Sequence, residues 1–436
     1  MIQTDNLQKN AYRFYSGDFA TDTGQTEVSY GLPSPFVEVD LDDLVREAQY
    51  AVATRPSTID AHPKQVHRVV HLDRNKANPA VAGFPNLQRV TWSETKGVTL
   101  PKEIAALPTL RVLGISGNQY KALPRSLRHA TRLSGLLLTG LTRLRSLSGL
   151  EQLIALEHLQ MYNLVKLNDF SQILELPRLR AVSVVSMNLR QMCPVLAQLE
   201  VLERLDLSSS ATFDVDYLTA LLQAHPGLEE LGLKNALLEH EPPPNLPSLR
   251  VLSLSGARRL PSDFLTGMPS LEVLDLSWPG PELPASLGSL ARLQSLDIGM
   301  GKYTAKTDFS VLTQLTRLRD LHFMTHLERL PEAVGAIESL RHLQIGVCHE
   351  LRDVSALRSH PNLEVLDLGG FSDSEQLIDV AMTLPKLEYL RVKQRTDITR
   401  LADHPSLKVI LGQHLESDDM AALFDVHRRA HYPRRL

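Results

Sequence analysis

The chain has 436 residues, 43% of them apolar, which is ample for a large core. A formal net charge of −4 and a sequence pI of about 6.5 exclude a broad basic footprint for nucleic acid; the basic residues read as scattered, apart from a cluster at Arg428, Arg429, Arg434 and Arg435. No apolar run approaches the ~18 residues of a membrane span, and Met1 to Tyr15 lacks the basic start and apolar core of a secretory signal.

Residues 1–35 are polar and aperiodic and are expected to be flexible or irregular. From Val37 to Val52 the apolar residues Leu41, Leu44, Val45 and Ala48 follow helical spacing, with Asp40, Asp42 and Asp43 placed to suit a helix N-terminus. Val66, Val69, Val70 and Leu72 then predict a degenerate first strand, so residues 36–84 read as a helical N-terminal cap.

Residues 85–412 carry a block of the form Leu-x-x-Leu-x-Leu. Its first residue falls at Leu87, Leu110, Leu133, Leu156, Leu179 and Leu202, a pitch of 23 each time, and then at Leu228, Leu249, Leu271, Leu293, Leu318, Leu340, Leu363, Leu387 and Leu407. A fixed period with this pattern is the signature of a leucine-rich repeat. The expected fold is an α/β solenoid, a horseshoe of about fourteen or fifteen turns with a parallel sheet on its concave face. The second and third apolar residues point inward and the residues between them face solvent. Connecting segments are of two kinds. One opens with Leu-Pro, as at Leu100-Pro101, Leu123-Pro124, Leu260-Pro261, Leu283-Pro284 and Leu330-Pro331. The other opens with an aspartate able to cap a short helix, at Asp169, Asp308 and Asp353. The longer turns before Leu228 and Leu318 need extra helix or loop. Only Asn118 keeps the asparagine common after the third leucine, so backbone groups elsewhere must pair with neighbouring backbone or water. Residues 413–436 read as a C-terminal cap helix and basic tail.

The two cysteines, Cys193 and Cys348, are seven turns apart, roughly 30 Å at ~4.8 Å per stacked strand, too far for a disulfide. Unpaired thiols fit a reducing compartment, and Cys348 reads as a small buried turn residue. No phosphate-cradling loop, nucleophile elbow, His-Glu-x-x-His or Cys-x-x-Cys is present, so neither cofactor nor metal is expected; His427 and His431 alone make a poor zinc site. Asp206, Asp275, Asp297 and Asp367 share the position between the second and third apolar residues, with Asp275 and Asp297 in adjacent turns. Paired carboxylates can act as acid and base in a hydrolase; a solvated or partner-binding acidic ladder is the preferred reading. Trp278, Met300, His322, Met324 and His342, from four consecutive turns, are expected to face outward with Tyr303 close by, as are Tyr389 and Arg391 further on. Aromatic, Met and Arg side chains of this kind predict a protein-binding patch around Asp275 and Asp297.

The Leu-Pro-x-x-Leu segments, the 23-residue pitch and the terminal Val409-Ile410-Leu411 strand followed by a polar helix resemble cytoplasmic bacterial leucine-rich-repeat proteins. They are most similar in style to type III secreted effectors of plant pathogens. That resemblance implies a non-catalytic scaffold, delivered without a signal peptide, that binds a host protein on its concave face. In some such effectors the repeats select substrates for an attached ubiquitin-ligase domain. The alternative expectation is thus a substrate-recognition component; with roughly 25 residues after the last repeat, the chain is expected to be either a recognition-only member or a fragment of a larger effector.

Overall fold

In the computed structural model of the chain, the blocks open strands that, within each of two units, pair in parallel in sequence order. The structure describes residues 18–20, 26–28, 52–53, 68–73, 87–93, 100–185, 187, 189–208, 215–238, 244–277, 280, 282–299, 303–324, 327–346, 350–368, 371–391 and 399–411. The chain divides between Gly232 and Leu233 into two units.

In the first unit a short antiparallel pair, β1 (Asp18–Ala20) and β2 (Thr26–Val28), stands apart from the repeats. The parallel sheet follows: β3 (Val52–Ala53), β4 (Arg68–Asp73), β5 (Arg89–Ser93), β6 (Val112–Ser116), β7 (Gly135–Thr139), β8 (His158–Tyr162), β9 (Ala181–Val185), β10 (Arg204–Asp206) and β11 (Glu230–Gly232). In the second unit β12 (Val251–Ser253), β13 (Val273–Asp275), β14 (Ser295–Asp297), β15 (Asp320–Met324), β16 (His342–Gly346), β17 (Val365–Leu368), β18 (Tyr389–Arg391) and β19 (Val409–Leu411) pair in sequence order. Each unit is a leucine-rich-repeat solenoid.

The leucine positions are the core. Leu133, Leu136 and Leu138 are at most 1% exposed, as are Leu271, Leu274 and Leu276. Each such side chain contributes about 1.5–3 kcal/mol by leaving water. Because the same three positions recur, each turn lays its leucines on those of the turn before, and the sheet register follows.

Two expectations at the N-terminal end change. The stretch expected to be irregular contains the β1–β2 pair, where β-branched Thr26 and Val28 suit a strand. Val52 and Ala53, the end of the expected cap helix, form a strand on Arg68 and Val69 instead. A free backbone edge on β4 outweighs the helical spacing there. The rest of that segment, and the expected C-terminal helix, lie outside the described residues.

The connecting segments follow their chemistry. Pro101, Pro124, Pro284 and Pro331, extended and without an amide to satisfy, each precede a short helical stretch, at Lys102–Ala105, Arg125–His129, Ala285–Ser289 and Glu332–Gly335. Asp169, Asp308 and Asp353 accept hydrogen bonds from the amides of Ser171, Ser310 and Ser355 at 2.8–3.0 Å. These are Asx turns one residue ahead of a cap. The longer turn before Leu228 holds the helix Val215–Ala224. Asn118 is exposed and takes its bond from Gln119, not from the next turn. Between turns the amides of Leu233, Leu254, Leu276 and Ile298 bond carbonyls of Ser253, Asp275, Asp297 and His322, so backbone replaces the missing asparagine ladder.

A second ladder is built from histidine. His225, His360 and His404, each followed by proline and three residues ahead of a block's first leucine, are 2–7% exposed. Their Nε2 atoms lie 2.9–3.0 Å from the carbonyls of Leu196, Ile337 and Ala381 in the preceding turn. A carbonyl only accepts, so Nε2 carries the proton. In His360 and His404, Nδ1 accepts amide bonds from Asn362 and from Ser406 and Leu407. Burial pushes the His360 imidazole below its ordinary value, which keeps it neutral. Replacing His360 by Ala should cost about 1–3 kcal/mol, because the Ile337 carbonyl loses its donor; denaturant unfolding measures this, and His360→Gln should restore part of it.

Candidate functional site

In the second unit the open face of the sheet carries an unbroken polar column. The residue between the second and third apolar positions is Ser253, Asp275, Asp297, His322, Gln344, Asp367 and Arg391 on β12 to β18, each facing the next in register. Neighbours in such a column stand about 4.8 Å apart, within reach of one another's side chains.

The hydrogen bonds run along it. Ser253 Oγ donates to Asp275 Oδ2 at 2.8 Å, with Lys234 Nζ 3.6 Å from the same oxygen. Ser277 donates its amide to Asp275 Oδ1 and its hydroxyl to Asp297 Oδ1 at 3.1 Å. Asp297 Oδ1 also takes the Gly299 amide at 2.7 Å, and its Oδ2 faces His322 Nδ1 at 2.9 Å. Asp367 Oδ2 accepts from Gln344 Nε2 at 3.3 Å and Arg391 Nη1 at 3.2 Å, while Oδ1 is buried without a hydrogen bond. One column over, His342 Nδ1 bonds Asp320, and His342 Nε2 lies 3.9 Å from Glu364, which Arg341 engages.

Burial opposes ionisation of Asp297. The adjacent His322 charge and the bonds from His322, Gly299 and Ser277 outweigh it, and the carboxyl is held below the usual range. His322 is the mirror case: burial lowers it, and Asp297, with Asp367 and Asp275 beyond, raises it above its ordinary value. Asp367 is pushed up by burial despite Arg391.

The expected site residues fall into three groups. Asp275, Asp297, His322 and Arg391 are brought into one column, half-buried. Tyr389 lies on the same strand as Arg391, also half-buried. Tyr303 and His342 do not present the outward faces expected of them. Tyr303 is 4% exposed, its ring packed edge-on against Phe309, and burial followed by the Asp297 charge drives its phenol up. His342 holds an outward position but is 2% exposed, enclosed by Asp320 and Glu364. Asp206 and Asp367, expected in a solvated or partner-binding ladder, are 3% and 1% exposed, bonded to Ser183 and Arg391. Trp278, Met300 and the side chain of Met324 lie outside the described residues, as does Cys348. Cys193 is buried in the helix Leu189–Leu196, and burial pushes its thiol up to about 12. Among the described residues no cluster of His, Cys, Asp and Glu is arranged to hold a metal, and no helix is long and apolar enough to cross a membrane.

Ser253, Gln344, Lys234, Asp320 and Glu364 were missed as parts of this network. Ser253 and Gln344 were legible, since they occupy the aspartate position in their own turns.

No protein-family model and no curated protein matches the chain. Among solved structures it is similar to a leucine-rich-repeat protein of Leptospira interrogans (20% identity, covering 86% of this chain and 98% of that one, TM-score 0.49). It is also similar to an internalin of Listeria monocytogenes (18%, 69% and 80%, TM-score 0.42) and to a plant peptide hormone receptor (18%, 76% and 57%, TM-score 0.37).

The His322–Asp297 pair fixes a pH dependence. His322 is raised in the fold, so its contribution is full below its unfolded value of about 6.5 and is lost as pH rises through the folded value. Asp297 is lowered, so its share is present above about 3.9 and lost on acidification below that. Wild type should therefore exceed His322→Gln in melting temperature most between about pH 4 and 6.5. The gap should close towards pH 9, as thermal melts across that range will register.

Proposed function

We propose that this chain is a non-catalytic scaffold that binds a partner protein on the open face of its second unit, around β13 to β18. The observation that carries this reading is the in-register column from Ser253 to Arg391, whose charged groups already hold hydrogen-bond partners before any partner protein arrives. Side chains fixed in this way lose little freedom on binding, which favours affinity. A standard contact of roughly 800 Å² on this side would span several strands.

The competing hydrolase reading rests on the adjacent Asp275 and Asp297 and needs one of that pair held high enough to deliver a proton near neutral pH. Asp297 is held low, with three donors on its oxygens, which favours the binding reading. The partner expected from the sequence resemblance is a host protein, met after delivery of the chain as a bacterial effector; recognition of a ubiquitination substrate is one form that binding would take.

Trp278→Ala with Met324→Ala should reduce capture of the partner from host extract at least about tenfold, the loss expected for hot-spot truncation, while leaving the melting temperature unchanged. Quantitative mass spectrometry of matched pull-downs reads this out. Equal capture by both forms would remove this patch from consideration.

A further inference from the structure

The first unit holds a concentration of charge that the chain average conceals. Residues 101–150 contain Lys102, Arg111, Lys121, Arg125, Arg128, Arg132, Arg143 and Arg145 against one carboxylate, Glu103. That is a surplus of seven positive charges in a chain whose total is −4, so the remainder carries eleven negative. All eight cations are exposed.

Elsewhere four cations at one repeated position have carboxylate partners. The residue after a block's first leucine is often charged, and neighbouring turns alternate: Arg180 with Glu203, Arg250 with Glu272, Arg341 with Glu364, Lys408 with Glu388. Arg111 occupies that position, but its neighbours there are Gln88 and Ser134. Among the described residues none of the eight cations has a carboxylate partner, and Glu103 pairs with none of them. Four of them, Arg111, Arg128, Arg132 and Arg143, bond neutral acceptors. Arg111 Nη1 donates to the carbonyls of Pro108 and Leu110 at 3.0 and 3.1 Å, and Arg132 Nη1 reaches the same Pro108 carbonyl at 3.4 Å. Two guanidiniums thus converge on one oxygen. The helical stretch Lys102–Ala105 packs against Arg125–His129, tied by Ser126 Oγ to the Leu100 carbonyl at 2.6 Å. That contact sets Lys102, Arg125 and Arg128 on adjacent turns. His129 registers the field: partial desolvation, then the charges of Lys102 and Arg128, hold its imidazole below the ordinary value.

Like charges gathered without counter-charges work against the fold. We propose that Lys102, Arg111, Arg125, Arg128 and Arg132 form a docking surface for a short acidic segment, rich in Asp or Glu, of a partner protein. Arginine forks suit carboxylates bidentately. Other polyanions fit less well. Single-stranded nucleic acid binds on stacking aromatics, and the one aromatic in this stretch, Tyr120, is 5% exposed. A membrane surface favours an apolar anchor, and among the described residues the large exposed apolar ones, Ile154, Val165, Leu174 and Val201, all lie beyond the stretch. An extended duplex or bilayer would also meet a chain that is otherwise net negative, whereas a short peptide is confined to about three turns.

This surface is independent of the column in the second unit and is tested on the full chain by fluorescence anisotropy. The probe is a labelled ten-glutamate peptide, with the ten-glutamine peptide as its neutral control. The glutamate peptide should bind and weaken as salt rises towards about 150 mM, and the glutamine peptide should not bind. Arg111→Gln, Arg128→Gln and Arg132→Gln together should weaken glutamate binding about tenfold, as expected for three exposed charges acting at one site. Arg292→Gln, Arg317→Gln and Arg358→Gln, an equal charge change among exposed arginines of the second unit, should leave it within about twofold. Equal loss in both triple variants would overturn the proposal. So would tighter binding of a DNA duplex, or of vesicles containing phosphatidylserine, abolished by the first triple variant. Matching thermal melts show that the variants remain folded.

Discussion

The parallel register between successive strands is the constraint on which the rest depends. Three buried leucine-type positions per turn fix how far each strand may slide on its neighbour. A slip of one residue would turn the leucines to water and bury the residues between them. Once Leu274 lies on Leu296 and Leu296 on Leu321, Asp275 must face Asp297 and Asp297 must face His322. The polar column therefore requires no separate folding information. The apolar core aligns it.

That alignment gives the protein two electrostatic regimes. In the second unit, opposite charges meet across strands, and each carboxylate of the column is answered by an imidazole, a guanidinium or a hydroxyl. Such pairs contribute little to stability when exposed and more when enclosed, so the half-buried Asp297–His322 pair and the buried Asp367 matter more than the rim pairs. In the first unit, around Arg111, the alternation lapses and positive charge accumulates.

The sequence carried the fold because a period of 23 over six blocks has no other simple explanation, and it carried the alignment of Asp275 with Asp297 because column membership is a matter of counting. Exposure was not legible in the same way. Whether an outward residue meets water depends on the size of its neighbours in adjacent turns: His342 disappears between Asp320 and Glu364, while His322, one turn away, stays half-open. Tyr303 fell in a long irregular turn where no period applies. The His-Pro-x-Leu ladder was present as a repeated tripeptide spacing, but each histidine looks solvent-compatible until the carbonyl above it is known. The basic surface was hidden by averaging charge over a chain that is acidic elsewhere.

The histidine ladder has a mechanical consequence. His225, His360 and His404 each join one turn to the turn before it, as nearly all the long-range hydrogen bonds do. Within a unit the turns are therefore links loaded in series. A tension applied along a unit would be resisted only by whichever junction is weakest, and each rupture would release one turn of about 23 residues, roughly 80 Å of extended chain. A rigid network that braced distant turns would fail all at once; this architecture yields by instalments and can re-form from the turns that remain.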